Sequence, residues 1–133
     1  MNNTDLNNQV AIVTGGAQGI GFAVAKKFIN MGAIVVLWDH DQKVAEKSAK
    51  DLGPNAFAYN VDVTDTDGVE AAAKRVNDEH GKIDVLVANA GIAGLNAAVI
   101  DYPIDEWNKV IDINLGGIFN CCRSVLPYMV KSG

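Results

Sequence analysis

A chain of 133 residues, 49% of them hydrophobic, is long enough for one domain with a buried core. Eleven basic against sixteen acidic side chains leave a net charge of −5 with no block of like charge. That balance argues against nucleic acid or an anionic membrane as a partner, since both require a basic face. No apolar run approaches the ~18 residues of a membrane span. The opening Met-Asn-Asn-Thr-Asp-Leu-Asn-Asn lacks the basic and apolar regions of a leader, so a cytoplasmic location is expected.

Strand and helix patterns alternate along the chain. Residues 10–14 read as a first strand, followed by a glycine-rich turn and a helix over 19–31 with Ile20, Ala23, Val24 and Phe28 on its inward face. Gly32 ends that helix, and 34–38 form a continuous apolar strand. Asp41 can cap the next helix, which stops at Gly53-Pro54. A third strand spans 56–61, and Thr64 with Asp67 resembles a capping box that opens a helix carrying Val69, Ala72, Ala73 and Val76 inward. His80-Gly81 closes it.

The fourth strand, 83–88, is apolar at successive positions, as strands buried on both faces of a parallel sheet are. A Gly- and Ala-rich loop over 89–102 leads to a final helical segment over 103–129, with a break near 112–117. The βαβαβαβα order predicts a doubly wound α/β unit with a parallel sheet and helices on both faces. The only cysteines, Cys121 and Cys122, are adjacent in a helical pattern and point apart, which fits reduced core or interface thiols. His40 and His80 are isolated from them, and no metal site is expected.

The run Thr14-Gly15-Gly16-Ala17-Gln18-Gly19-Ile20-Gly21 lies directly between the first strand and the first helix. Glycines there let the backbone approach a pyrophosphate, and the new helix presents free N–H groups and its positive dipole end to the anion. The spacing Gly15-x3-Gly19-x-Gly21 differs from G-x-G-x-x-G but has the required strand–turn–helix context.

Asp39 ends the second strand, 18 residues beyond Gly21, where a carboxylate accepts hydrogen bonds from the adenosine ribose hydroxyls. It also repels a 2′-phosphate. No Arg or Lys stands in the glycine loop or directly after Asp39; Gln18 and His40 occupy those places, which favours NAD over NADP. A helix cap or solvated turn is the plainer role for Asp39, but Asp41 is available to cap. Asp62-Val63 ends the third strand and Asn89-Ala90-Gly91 the fourth. All four strands thus end, at one edge, in residues suited to a single ligand crevice.

These motifs, with Asn114 in Ile113-Asn114-Leu115, make the chain resemble the short-chain dehydrogenase/reductase family, and within it the 3-oxoacyl-acyl-carrier-protein reductases and their sugar- or alcohol-oxidising relatives. The resemblance covers the whole chain but only about the first half of the family's domain. It implies that Gly15, Gly19 and Gly21 line the pyrophosphate, with Gln18 and Ile20 of the same run beside the cofactor. It implies that Asp39 holds the ribose, that Asp62 and Val63 meet adenine, and that Asn89, Ala90 and Gly91 lie alongside. Asn114 is implied as one member of a catalytic tetrad that supports a proton-relay water. Taken by itself, Asn114 reads as a helix defect beside Gly116-Gly117.

The family's chemistry also uses a Ser and a Tyr-x-x-x-Lys pair. Four residues beyond Tyr59, Tyr102 and Tyr128 stand Val63, Glu106 and Ser132, so these 133 residues contain no such pair. Residues 1–133 therefore read as an incomplete dinucleotide-binding domain without its catalytic half, inactive alone, from an enzyme that moves hydride between a nicotinamide and a secondary alcohol or ketone. The alternative is a non-catalytic NAD-binding or self-associating module. In the expected strand order 3-2-1-4 the fourth strand is an edge. The last helix carries an apolar stripe of Ile118, Phe119, Cys122, Val125, Leu126 and Met129, so a homo-oligomer built on that helix is expected.

Overall fold

The computed structural model describes residues 5–133; Met1 to Thr4, part of the stretch read above for a leader, lie outside the described residues. The chain runs β1 (Val10–Thr14), α1 (Gly19–Asn30), β2 (Ile34–Asp39), α2 (Gln42–Leu52), β3 (Ala56–Asn60), α3 (Thr66–His80), β4 (Val85–Val87), α4 (Ile104–Ile111) and α5 (Gly117–Ser132). The strands pair in parallel in the order β3-β2-β1-β4, so β4 is an edge, in register with Ala11, Ile12 and Val13 only.

Strand alternation divides the core into two layers. Val10 and Ile12 of β1 and Val36 and Trp38 of β2 face α3 and α5, packing on Val69, Val76, Cys121 and Val125. Ala11, Val13, Val35 and Leu37 face the other way, onto Val24, Ala25, Phe28 and Ala49 of α1 and α2. Because both faces are covered, β1 and β2 are apolar at nearly every position. Burial pushes the Cys121 thiol up to about 12, which keeps it protonated and unreactive.

The structure corrects several boundaries. The third and fourth strands end earlier than expected, at Asn60 and Val87. Ile20 and Ala23 do not face inward: Ile20 is 77% exposed, and the helix turns Gly21, Val24, Ala25, Phe28 and Ile29 to the sheet. The glycine at position 21 looks like a gap in an apolar stripe, yet it is the closest point of approach. The α3 cap is Asp65, whose carboxylate accepts from the Gly68 N–H at 3.1 Å, while Thr64 turns back to donate to Asp62. Asp41 caps α2 by accepting from the Val44 N–H, and Gly81 closes α3 in a left-handed conformation.

The last helical segment is not one helix. A turn of π-helix over Asp112–Gly116 separates α4 from α5. Among the described residues no helix is long and apolar enough to cross a membrane. Replacing Ile12, fully buried at the sheet centre, by Ala should cost about 3 kcal/mol, whereas Ile20→Ala should change stability by less than about 0.5 kcal/mol. Urea denaturation of the two variants checks that Ile20, unlike Val24 and Phe28, lies off the inward face of α1.

Candidate functional site

The carboxyl ends of all four strands open into one crevice of about 850 Å³. Its first wall is the turn from β1 into α1. Gly15 adopts φ +61°, a left-handed conformation that side chains resist. A Cβ added at Gly21 would stand 2.3 Å from the Gly15 carbonyl oxygen and 2.6 Å from the Asn89 amide nitrogen, so only glycine lets α1 start against this turn.

Gln18, the residue before α1, makes no side-chain cap, and the first turn of α1 carries no acidic residue. Helix geometry leaves the leading N–H groups without intrahelical acceptors. The start of α1 is therefore an open anion cradle, and a Cβ at Gly19 would project into free space. The residues present fit a pyrophosphate there.

Thr14 organises the opposite edge. Its hydroxyl oxygen accepts from the backbone N–H groups of both Asn89 and Ala90 at 2.9 Å. The Asn89 side-chain amide donates in return to the carbonyls of Thr14 and Gly15, at 3.2 and 3.3 Å. Strand ends 75 residues apart in sequence are thus held together by a reciprocal set of bonds.

At the end of β2, Asp39 accepts from the Ala17 N–H at 3.3 Å through one oxygen and from the Asp41 N–H at 3.1 Å through the other. The Ser48 hydroxyl donates to the Ala17 carbonyl at 2.6 Å and braces the same turn from α2. At the end of β3, the Thr64 hydroxyl and then its N–H donate to Asp62, and those bonds hold the Asp62 carboxyl below the usual carboxylate range.

Asn114 lies in the π-turn. Its side-chain oxygen accepts from the Ile92 N–H and its amide donates to the Ile92 carbonyl, both at 2.8 Å. Both polar ends are thereby engaged with the loop that follows β4.

Of the eleven residues expected at a cofactor, nine line the crevice: Gly15, Gln18, Gly19, Asp39, Asp62, Val63, Asn89, Ala90 and Gly91. Gly21 lies behind the lining as a packing point, Ile20 is exposed in the first turn of α1 outside that lining, and Asn114 acts on the wall through Ile92. Sequence reasoning missed Thr14 and Ser48 as braces. It also missed Asp105, Asn108, Lys109 and Asp112, which line the crevice from α4 and the turn after it. Their spacing of i, i+3, i+4 and i+7 is a polar stripe at helical period, the signal that would have found them. Among the described residues no group of three or more His, Cys, Asp or Glu is placed to hold a metal ion.

A glycine turn leading into an uncapped helix, with carboxylates at the next two strand ends, defines a dinucleotide-binding crevice of the Rossmann type. The model of the short chain dehydrogenase family matches residues 9–133, and the chain belongs to that family. It is 43% identical over 124 residues to a 2-dehydro-3-deoxy-L-rhamnonate dehydrogenase (NAD(+)) of Sphingomonas sp. strain SKA58, covering 92% of this chain and 49% of that protein. It is 41% identical to a 3-oxoacyl-[acyl-carrier-protein] reductase of Chlamydia muridarum, covering 98% of this chain and 54% of that one. The solved 3-ketoacyl-(acyl-carrier-protein) reductase of Brucella melitensis complexed with NADH superposes with a TM-score of 0.90 at 32% identity, over 93% of this chain and 51% of that one. The chain spans about half the length of the curated relatives it matches.

Thr14→Val keeps the shape but removes the acceptor for two partly buried N–H groups. It should lower stability by about 2 kcal/mol, with Thr14→Ser close to the parent protein, as read by thermal or urea unfolding.

Proposed function

We propose that residues 1–133 are the dinucleotide-binding part of an NAD-dependent oxidoreductase acting on a secondary alcohol or ketone, 3-oxoacyl compounds included. The observation that carries this reading is Asp39, pinned by two backbone N–H groups at the rim of a crevice beside the open start of α1. In this arrangement the first N–H groups of α1 meet the pyrophosphate. Asp39 accepts from the ribose hydroxyls and, fixed in place, repels a 2′-phosphate. Asp62 and Val63 meet adenine, and the backbone of Asn89, Ala90 and Gly91 lies along the remainder of the ligand.

When bound, the nicotinamide supplies a carbon that exchanges hydride with the substrate carbon. Asn114 holds the loop after β4 through Ile92 and, from the widened turn, supports a proton-relay water. These 133 residues contain no Tyr-x-x-x-Lys pair to act as acid and base, so by themselves they bind cofactor without turnover. A cytoplasmic location goes with this reading.

Titration calorimetry tests it. NAD should bind at least about tenfold tighter than NADP, and Asp39→Arg should weaken NAD and reverse the order. Equal affinities in the parent chain would overturn the preference, and turnover of secondary alcohols by these residues alone would overturn the inactivity.

We propose also that the chain forms a homo-oligomer through α5, whose Ile118, Phe119, Leu126 and Val130 are exposed. Phe119→Asp should shift the sedimentation coefficient toward that of a monomer; a parent protein already monomeric at micromolar concentration would refute the proposal.

A further inference from the structure

The crevice walls after β3 and after β4 are tied to one continuous piece of chain. The π-turn carries Asn114, whose two polar ends are bonded to Ile92 after β4. In the first turn of α5, the Asn120 side-chain amide donates to the Val63 carbonyl after β3, at 2.9 Å. Asn120 is half-buried and stands outside the crevice lining, whereas Val63 belongs to it. The amide therefore acts from behind the wall.

Gly117 lets α5 come this close. It lies on the same helix face as Asn120, one turn earlier. A Cβ added there would stand 2.6 Å from Val63 Cγ2 and 3.1 Å from Val63 Cβ, so a larger residue would push the helix off this segment. Val63 is held by contact at its side chain and by a hydrogen bond at its carbonyl.

The bond reaches further than Val63. The Val63 carbonyl and the Thr64 N–H belong to one planar peptide, and that N–H donates to Asp62 Oδ1 at 2.9 Å. An amide that accepts at its oxygen donates more strongly through its nitrogen. Two bonds in series thus run from α5 to the Asp62 carboxylate. The Thr64 hydroxyl braces the same Oδ1 at 2.7 Å, leaving Oδ2 as the oxygen to meet a ligand.

We propose that Asn120 is a positioning residue for recognition of the adenine base, fixing the Asp62 carboxylate through the Val63–Thr64 peptide. This role rests on the reading of Asp62 and Val63 as the adenine wall. Asp62 accepts from the 6-amino group of adenine. Hypoxanthine carries a carbonyl oxygen at that position and cannot donate there, so preference for adenine reports how well the carboxylate is held.

The experiment compares dissociation constants of NAD and of nicotinamide hypoxanthine dinucleotide for the parent chain, Asn120→Ala and the nearly isosteric Asn120→Leu. The ratio of the hypoxanthine to the adenine constant should fall about fivefold in both variants, the effect of about one net hydrogen bond. The peptide N–H is one of the bonds that lower the Asp62 carboxyl, so a carboxyl NMR titration should place Asp62 higher in Asn120→Ala than in the parent. A general loss of packing would weaken both dinucleotides alike. An unchanged ratio, or an unchanged Asp62 titration, overturns the role of Asn120.

Asp62→Ala separates this role from the reading beneath it. If that change lowers the ratio while the Asn120 variants do not, only the role of Asn120 fails. If it leaves the ratio unchanged, or if the parent does not distinguish the two dinucleotides, the adenine wall is misassigned and the role of Asn120 falls with it.

Discussion

The hydroxyl of Thr14 joins the two strand ends on which the rest of the site is built. One oxygen accepts two backbone N–H groups from the segment after β4, and the Asn89 amide returns two bonds to the segment after β1. Without that exchange the crevice edge would carry unpaired N–H groups in a partly buried position, and β4, paired over only three residues, would have little else to hold its end. The glycine turn depends on the same bonds. Gly15 is fixed from one side by Asn89 and crowded from the other by Gly21, so the start of α1 has a single position relative to the sheet.

The electrostatics of the crevice are local. Asp39, Asp62, Asp105 and Asp112 line it against Lys109, a lining that does not attract an anion by net charge. What would attract a pyrophosphate is direction: the leading N–H groups of α1, aimed along the helix dipole. The other two sheet-packed helices that follow β2 and β3 satisfy their starts internally, with Asp41 and Asp65 as caps, while α1 does not. In the proposed reading, the carboxylates then select among ligands that the helix start admits.

Much of this was legible in the sequence because the controlling features are local. Apolar runs in β1, β2 and β4, glycines at 15, 19 and 21, and polar residues directly after each strand follow from parallel pairing and close approach. The strand order and the convergence of nine expected residues on one crevice agree with that reasoning. Most of the misreadings share a cause, in that the deciding partner is remote; the α3 cap is the local exception. Gly21 is buried because Gly15 and Asn89 crowd it, which displaces the inward face of α1 away from Ile20. Thr64 is diverted from capping by Asp62, and Asp65 takes its place. Thr14 and Ser48 look like ordinary hydroxyl residues until the chain brings Asn89 and Ala17 to them. The turn over Asp112–Gly116 was visible as a break, but not its π geometry, nor the bonds that Asn114 within it makes to Ile92.

The strand order has a kinetic consequence. β1 is made first and sits in the interior of the sheet, with β2 on one side and β4 on the other. Its pairing with β2 spans about one helix, but its pairing with β4 closes a loop of more than seventy residues that already contains β2, β3 and their helices. Loop closure of that length comes late, because nothing repays its entropy until the intervening elements are in place. The Thr14 bonds belong to this long-range set. A ligand seated across that seam would bind only chains that have completed the closure, and so would stabilise the pairing of β1 with β4 by mass action.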